Sequence, residues 1–147
     1  MKPFVFNLEK VLVLRKYREE EAKIELGKAI SLLADLENRI KVLGQERIRA
    51  AEAQFNPENS AAQIQQYMFY LLRLDNTKEE LLKQAALAEL KVEEARELFL
   101  EASRERKVLD KLKEKRQKEY RKQMFAEETK ILDDISGSAP TRLGVMA

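Results

Sequence analysis

The side chains that most often do chemistry in proteins are missing from this sequence. None of its 147 residues is cysteine or histidine, so the chain lacks a Cys–His or Ser–His pair and the usual metal ligands. Carboxylate pairs such as Glu127–Glu128 and Asp133–Asp134 are typical of solvated helix faces. Gly27 and Gly44 stand alone and form no phosphate-binding loop. We therefore expect no catalytic residues, no cofactor and no metal site, and we look for binding surfaces instead.

The most informative charged feature is a basic segment from Arg104 to Lys122. Its sequence, RERKVLDKLKEKRQKEYRK, holds ten Lys or Arg against four Asp or Glu. It is either a solvated helix or a docking surface for an acidic protein, nucleic acid or lipid headgroups. With only Tyr120 and Phe125 as aromatics, nucleic-acid binding is disfavoured. Membrane binding would need an apolar face opposite the basic one, and it is disfavoured because the segment is poor in Leu and Ile. An acidic protein cavity fits best.

Four large side chains follow one another at Tyr67, Met68, Phe69 and Tyr70. Successive helical residues sweep around the helix, so they cannot all face one partner. We expect Tyr67 in the helix interface, and Phe69 and Tyr70 partly exposed. They either pack locally against Phe55 or mark a site for another protein.

These residues must be positioned by long helices, because heptad patterns dominate the chain. A 3-4 apolar spacing held for more than six heptads without Pro or Gly is typical of a coiled coil. One seam position holds Ile64, Leu71, Lys78, Ala85, Val92, Phe99 and Arg106, and the other holds Tyr67, Leu74, Leu81, Ala88, Ala95, Ala102 and Leu109. The first half repeats the pattern with Leu26, Leu33 and Ile40 at one position and Ala22, Ala29, Leu36 and Leu43 at the other.

One break separates the two patterns. Pro57 disfavours helix at Asn56, and Ser60 with Gln63 three residues on predicts a capping box. A single short break favours an antiparallel hairpin, which buries both seams within one chain and leaves a monomer in isolation. A turn centred on Pro57 predicts Leu12 opposite Ala102.

The predicted architecture is therefore all-α: a long antiparallel two-helix coiled-coil hairpin, with the second helix longer and overhanging. The expected bounds are 7–53 for the first helix, 54–60 for the turn and 61–135 for the second helix, within one domain over 4–135. The same register places Phe4 near Asp110 and predicts an overhang from Lys111. Residues 136–147 are expected to be a disordered tail.

Bulk properties agree with solvated helices. Charged residues make up 37% of the chain, against four Gly and three Pro, and the net charge is only +2. No run approaches the roughly 20 apolar residues that span a bilayer. The first residues lack the apolar core of a secretory signal, so we expect a cytoplasmic protein without direct membrane insertion.

Two stretches carry a family resemblance. Phe4–Arg15 reads FVFNLEKVLVLR and Glu101–Lys115 reads EASRERKVLDKLKEK. Together with Glu19–Ala22, the chain length and the hairpin layout, they resemble the FliJ family of flagellar type III export proteins over about residues 4–135. That family is similar to the stalk proteins of virulence type III secretion and to the central stalk of rotary ATPases.

The resemblance implies partners that periodicity cannot indicate. It implies a stalk whose terminal end docks in the hexameric export ATPase, whose hairpin engages the cytoplasmic domain of the export gate, and which escorts export chaperones. It implies a cytoplasmic protein peripherally associated with the inner-membrane export apparatus. The matching candidates for the ATPase contact are Phe4, Leu8, Val11, Arg15, Lys111, Lys113, Lys115 and Arg116. Those for the gate contact are Leu43, Tyr70 and Leu74.

Three other interpretations remain open from the sequence. A generic scaffolding coiled coil would share the heptads, and a virulence-type stalk protein would share the hairpin. A basic helix that binds nucleic acid or a membrane surface is a third. An enzyme is the least favoured.

Overall fold

Two α-helices make up the fold. The computed structural model describes the backbone of residues 2–146 and the side chains of residues 2–137. Helix α1 spans Glu9–Gln54 and helix α2 spans Ala61–Met146, and the described backbone contains no strand. The helices pack antiparallel, as the pairing of Leu12 with Leu109 and of Glu46 with Tyr70 shows. The predicted all-α hairpin with a longer second helix is confirmed.

Helix boundaries differ from the expected ones at two ends. The amide of Glu9 donates to the carbonyl oxygen of Phe6 at 3.1 Å, so a backbone turn closes before α1 begins at Glu9 rather than near Asn7. The helical backbone of α2 runs past Ile135 to Met146. Most side chains of 136–147 lie outside the described residues, and the predicted disorder of that tail stays a prediction.

The turn between the helices is closed by side chains. The Ser60 hydroxyl accepts from the Gln63 amide at 3.2 Å, and the Gln63 side-chain oxygen accepts from the Ser60 amide at 2.8 Å. This reciprocal pair is the predicted capping box. On the other side, the Asn59 side-chain amide donates to the carbonyl oxygens of Ala53 at 2.7 Å and Gln54 at 3.3 Å. The last carbonyls of α1 and the first amides of α2 thus find partners.

The chain divides into two compact units. The terminal unit comprises Met1–Tyr17 and Ser103–Ala147, and the turn unit comprises Arg18–Ala102. In the turn unit, a core of Leu36, Ala85 and Ala88 is flanked by Leu33, Ile40 and Leu81. In the terminal unit, the core is Phe6, Leu12 and Leu109, with Phe4, Leu8 and Leu112 packed against it.

The predicted register is wrong by one heptad in each unit. Leu12 packs against Leu109, one heptad beyond the expected Ala102. In the turn unit, Ala88 lies with Leu36 and Leu33. The first residues of α2, including the predicted seam residue Ile64, are exposed. A heptad pattern matches itself again after seven residues, so periodicity alone could not choose between the two registers.

The register also moves the start of the overhang. Phe4 packs against Tyr120, with ring centroids 5.6 Å apart, rather than near Asp110. The described side chains of α2 are exposed from Arg121 to Gly137. The contact of α2 with the residues that precede α1 therefore extends to Tyr120, so the overhang begins later than the predicted Lys111.

The capping box gives a stability prediction. Substitution of Ser60 by Ala removes the acceptor for the Gln63 amide and should lower the free energy of unfolding by about 1 kcal/mol. Urea unfolding followed by circular dichroism measures the change. The control is Ser31→Ala at an exposed position within α1. It should be neutral or slightly stabilising because Ala has the higher helix propensity. Equal midpoints for Ser60→Ala and the natural chain would contradict a capping role.

Candidate functional site

A strap of Lys2–Leu8, non-helical as far as Phe6 and closed by a turn at 7–8, precedes α1 and lies against α2. Its exposure alternates: Phe4 and Leu8 are half-buried, Phe6 is 5% exposed, and Val5 between them is 75% exposed. The inward side chains join Leu12, which is fully buried, and Leu109. The strap is thus part of the terminal core.

Polar contacts tie the strap to the basic segment. The Tyr120 hydroxyl donates to the backbone carbonyl oxygen of Lys2, while the Phe4 ring tilts against the Tyr120 ring at 53°. The guanidinium carbon of Arg116 lies 5.8 Å from the centroid of the Phe6 ring, within the range of a cation–π interaction. Sequence reasoning missed Phe6. The alternation of Phe4, Phe6 and Leu8 could have indicated it, because period-two burial is typical of extended chain.

The start of α1 adds an ion pair to the same end. Lys113 Nζ lies 2.8 Å from Glu9 Oε2. That oxygen is buried and has no aligned hydrogen-bond donor, so the attraction is chiefly coulombic. Six residues further along α1, the Arg15 guanidinium donates to the backbone carbonyl oxygen of Glu105 at 2.9 Å.

The structure therefore separates the eight candidates for the ATPase contact. Five of them are half-buried and hold the terminal unit together: Phe4, Leu8, Arg15, Lys113 and Arg116. Val11, Lys111 and Lys115 are exposed. Of the eight candidates, these three are the ones whose side chains are open to a partner, although Val11 is only 39% exposed.

The candidates for the gate contact lie near the turn and are buried or half-buried. Leu74 is 8% exposed, and Leu43 is half-buried. Tyr70 is half-buried, and its hydroxyl donates to the Glu46 carboxylate at 3.1 Å. This hydrogen bond favours the neutral phenol and raises the pKa of Tyr70 above its ordinary value.

The exposed apolar side chains near the turn are different ones. Leu72 lies three positions after Phe69 and four after Met68 on α2, so it neighbours both side chains on the helix surface, and all three are exposed. We call them the turn patch. Phe55 in the turn itself is also exposed. The sequence placed Phe69 correctly as exposed but did not indicate Leu72.

An ion pair bridges the two helices beside this patch. Arg47 Nε donates to Asp75 Oδ1 at 2.6 Å and Arg47 Nη2 to Asp75 Oδ2 at 3.3 Å, a two-pronged contact. The hydrogen bond from Arg47, more than its charge, lowers the pKa of the Asp75 carboxyl. The pair links α1 to α2 at a fixed register.

Neither a metal site nor a membrane span appears in the described part of the chain. No group of three or more Asp or Glu side chains there is placed to hold a metal ion. No described helix has the length and apolar character to cross a bilayer.

The comparison with protein families decides the family. The model described as "Flagellar FliJ protein" matches residues 4–143, nearly the whole chain. The chain belongs to the FliJ family. It is thus a component related to flagellar protein export, and the family is not a known family of enzymes. No curated protein and no solved structure gives a significant match.

The Arg47–Asp75 pair predicts a pH-dependent term in stability. The pKa of Asp75 is lower in the folded chain than its ordinary value of 3.8, so the stabilisation of the fold by this ionised carboxylate is fully present above pH 3.8. It is lost as the pH falls through the folded pKa. The urea midpoint of Asp75→Asn should therefore lie below that of the natural chain at pH about 7, and the gap should narrow as the pH falls below 3.8.

Arg47→Gln serves as the partner variant. It should produce the same gap and the same narrowing, and the double variant should add little. A gap that stays constant between neutral and acidic pH would contradict this account of the pair.

Proposed function

We propose that this chain is a non-enzymatic stalk that docks its terminal unit in the ring of the flagellar export ATPase and contacts the export gate with its turn unit. Family membership supports the setting of flagellar export. The observation that supports the ring contact is the closed terminal unit, in which Phe6 and Leu12 tie the strap and α1 to α2. A packed end of this kind resists deformation when a surrounding partner grips it.

The exposed candidates supply the surface for that contact. Lys111 and Lys115 lie one helical turn apart on α2, and Val11 projects from α1 in the same unit. Two point charges and an exposed apolar side chain in one unit suit an acidic wall with apolar contacts. Lys113 and Arg116 act indirectly, because they hold the strap in place.

Coupling then needs no chemistry in the stalk. Hydrolysis in the ring changes which ring contacts are available, and the stalk transmits only the difference in free energy between those contacts. The turn unit passes this difference on through its contact with the export gate. Escort of export chaperones and a cytoplasmic location at the inner-membrane apparatus belong to the same proposal.

The first test is ATP hydrolysis by the export ATPase of the same bacterium, titrated with this protein. Stimulation is expected. A chain that ends at Lys122 should fold, because it keeps the strap's partners Arg116 and Tyr120. Whether this shortened chain still stimulates ATP hydrolysis shows whether residues 123–147 contribute to the contact with the ATPase. Absence of stimulation and of binding by the full chain would favour a scaffolding coiled coil.

Charge reversal tests the ring surface. Lys111→Glu with Lys115→Glu should weaken binding to the ATPase at least about tenfold at low salt, because two attractive contacts become repulsive. The matched control is Lys10→Glu with Lys16→Glu, an equal change of net charge at exposed positions of α1. Binding that is independent of both salt and the α2 substitutions would argue against an electrostatic ring contact.

The turn patch tests the gate contact. Phe69→Ala with Leu72→Ala should weaken binding to the cytoplasmic domain of the export gate about tenfold or more, since exposed aromatic anchors dominate interfaces. Leu90→Ala, an equally exposed leucine on α2, is the control and should bind normally. Substitution of Leu74 is unsuitable, because truncating a buried seam residue costs roughly 2–5 kcal/mol of stability. Calorimetric titration would reject the patch if both variants bound equally.

A further inference from the structure

The basic segment splits into an inner and an outer set of side chains. Arg106 pairs with Asp110, Lys113 pairs with Glu9, and Arg116 lies over the Phe6 ring. The other seven basic side chains are exposed. Six of them lie three or four positions apart: Arg104, Lys107, Lys111, Lys115, Lys118 and Lys122. This spacing puts all six on one face of α2, and we call them the cationic stripe.

The stripe is a straight line of unneutralised charge. At 1.5 Å per residue it is about 27 Å long. Glu105 and Asp110 lie away from this face, while Glu114 and Glu119 flank the stripe, each three or four positions from two of its lysines. No stripe residue takes part in an ion pair within the described part of the chain. Like charges at such spacing repel each other, so the stripe weakens the isolated helix. A partner that neutralises it would remove this repulsion.

An aromatic side chain continues the stripe. Phe125 follows Lys122 by three residues, so it lies on the same face, and it is 71% exposed. Leu132 lies seven residues further and is exposed as well. On this face of α2, the six cations are thus followed by two exposed apolar side chains, with Glu128 between them.

We propose that the cationic stripe adsorbs to an anionic lipid bilayer, with Phe125 entering the headgroup region. A bilayer is a flat sheet of phosphates, and a cylinder lying on it makes contact along one line, which is the form of the stripe. A ring that encloses the helix would be matched by cations around its whole circumference. Five of the six cations are Lys, a point charge without the fixed fork of Arg, which suits laterally mobile headgroups.

Adsorption of this kind differs from embedding. A helix that sinks into the interface needs an apolar half, which the basic segment lacks. Electrostatic adsorption needs only clustered Lys or Arg, and each contributes roughly a fivefold factor near an anionic surface. The inference goes beyond the stalk function and does not depend on it. Lys111 and Lys115 belong to both surfaces, so a bilayer and the ATPase ring would compete for them.

The test uses the full chain with vesicles of phosphatidylglycerol and phosphatidylcholine, compared with vesicles of phosphatidylcholine alone. Binding to the anionic vesicles only is expected, with an affinity that falls as salt rises. The variant Lys107→Glu, Lys118→Glu, Lys122→Glu leaves the two shared lysines intact. Its affinity should fall by about a hundredfold or more.

The control variant is Lys10→Glu, Lys16→Glu, Lys23→Glu, which makes the same change of net charge at exposed positions of α1. It should retain most of the vesicle binding. Equal loss in both variants would mean that net charge alone governs binding, and it would overturn the stripe. Weaker ATPase binding with unchanged vesicle binding in the stripe variant would assign the stripe to a protein partner and also overturn the proposal. Circular dichroism verifies that each variant folds.

A fluorescent residue tests the orientation. The chain has no Trp, so Phe125→Trp introduces a single reporter. Its emission should shift to the blue on addition of the anionic vesicles, while Val13→Trp, an exposed position on α1, should not shift. A shift at Val13 without one at Phe125 would place a different face on the bilayer and reject this orientation.

Discussion

The register between the two helices is the constraint on which the rest of the structure depends. Seams of leucine and alanine supply the burial, but they would supply it equally well one heptad away. Directional polar contacts distinguish the two registers. In the turn unit, the Arg47 fork meets both oxygens of Asp75, and the Tyr70 hydroxyl meets Glu46. In the terminal unit, Lys113 meets Glu9. The Arg47–Asp75 pair is exposed and adds little stability, so the role of such contacts is to make one register better than its repeat.

The strap extends the terminal unit further than a helix of the same length could. Extended chain rises about 3.3 Å per residue, more than twice the rise of an α-helix. Residues 2–8 therefore cover more of α2 than a helical start would, and Phe4 comes to lie on Tyr120. The buried side chains of Phe6 and Leu12 hold the strap in place, and the Arg116 guanidinium lies over the Phe6 ring. The basic segment is thus a structural element on one face and a charged surface on the other.

The sequence was sufficient for features that depend on local pattern. Heptads predicted two helices, Pro57 and the Ser60–Gln63 box predicted the turn, and the fold followed from them. Features that depend on register could not be predicted, because a heptad repeat is periodic by definition. The fates of Lys113 and Arg116 are examples: both look like free cations in the sequence, yet their partners, Glu9 and Phe6, are set by the register and by the strap. For Leu74 the two sources of prediction disagreed. Its seam position predicted that it is buried, and the structure agrees, whereas the family resemblance suggested that it contacts the export gate.

Binding proteins without catalytic groups can still be regulated, through competition for shared side chains. Lys111 and Lys115 lie within the cationic stripe and among the exposed candidates for the ring contact. If one partner neutralises them, the other loses the same charges, so the two affinities are coupled with negative sign. Linkage makes this reciprocal: a bilayer that weakens the hold of the ring is itself displaced by the ring to the same degree. Val11 and Phe125 are not shared, and they limit how far either partner can exclude the other. A stalk built this way would exchange between two anionic surfaces without any change in its own fold.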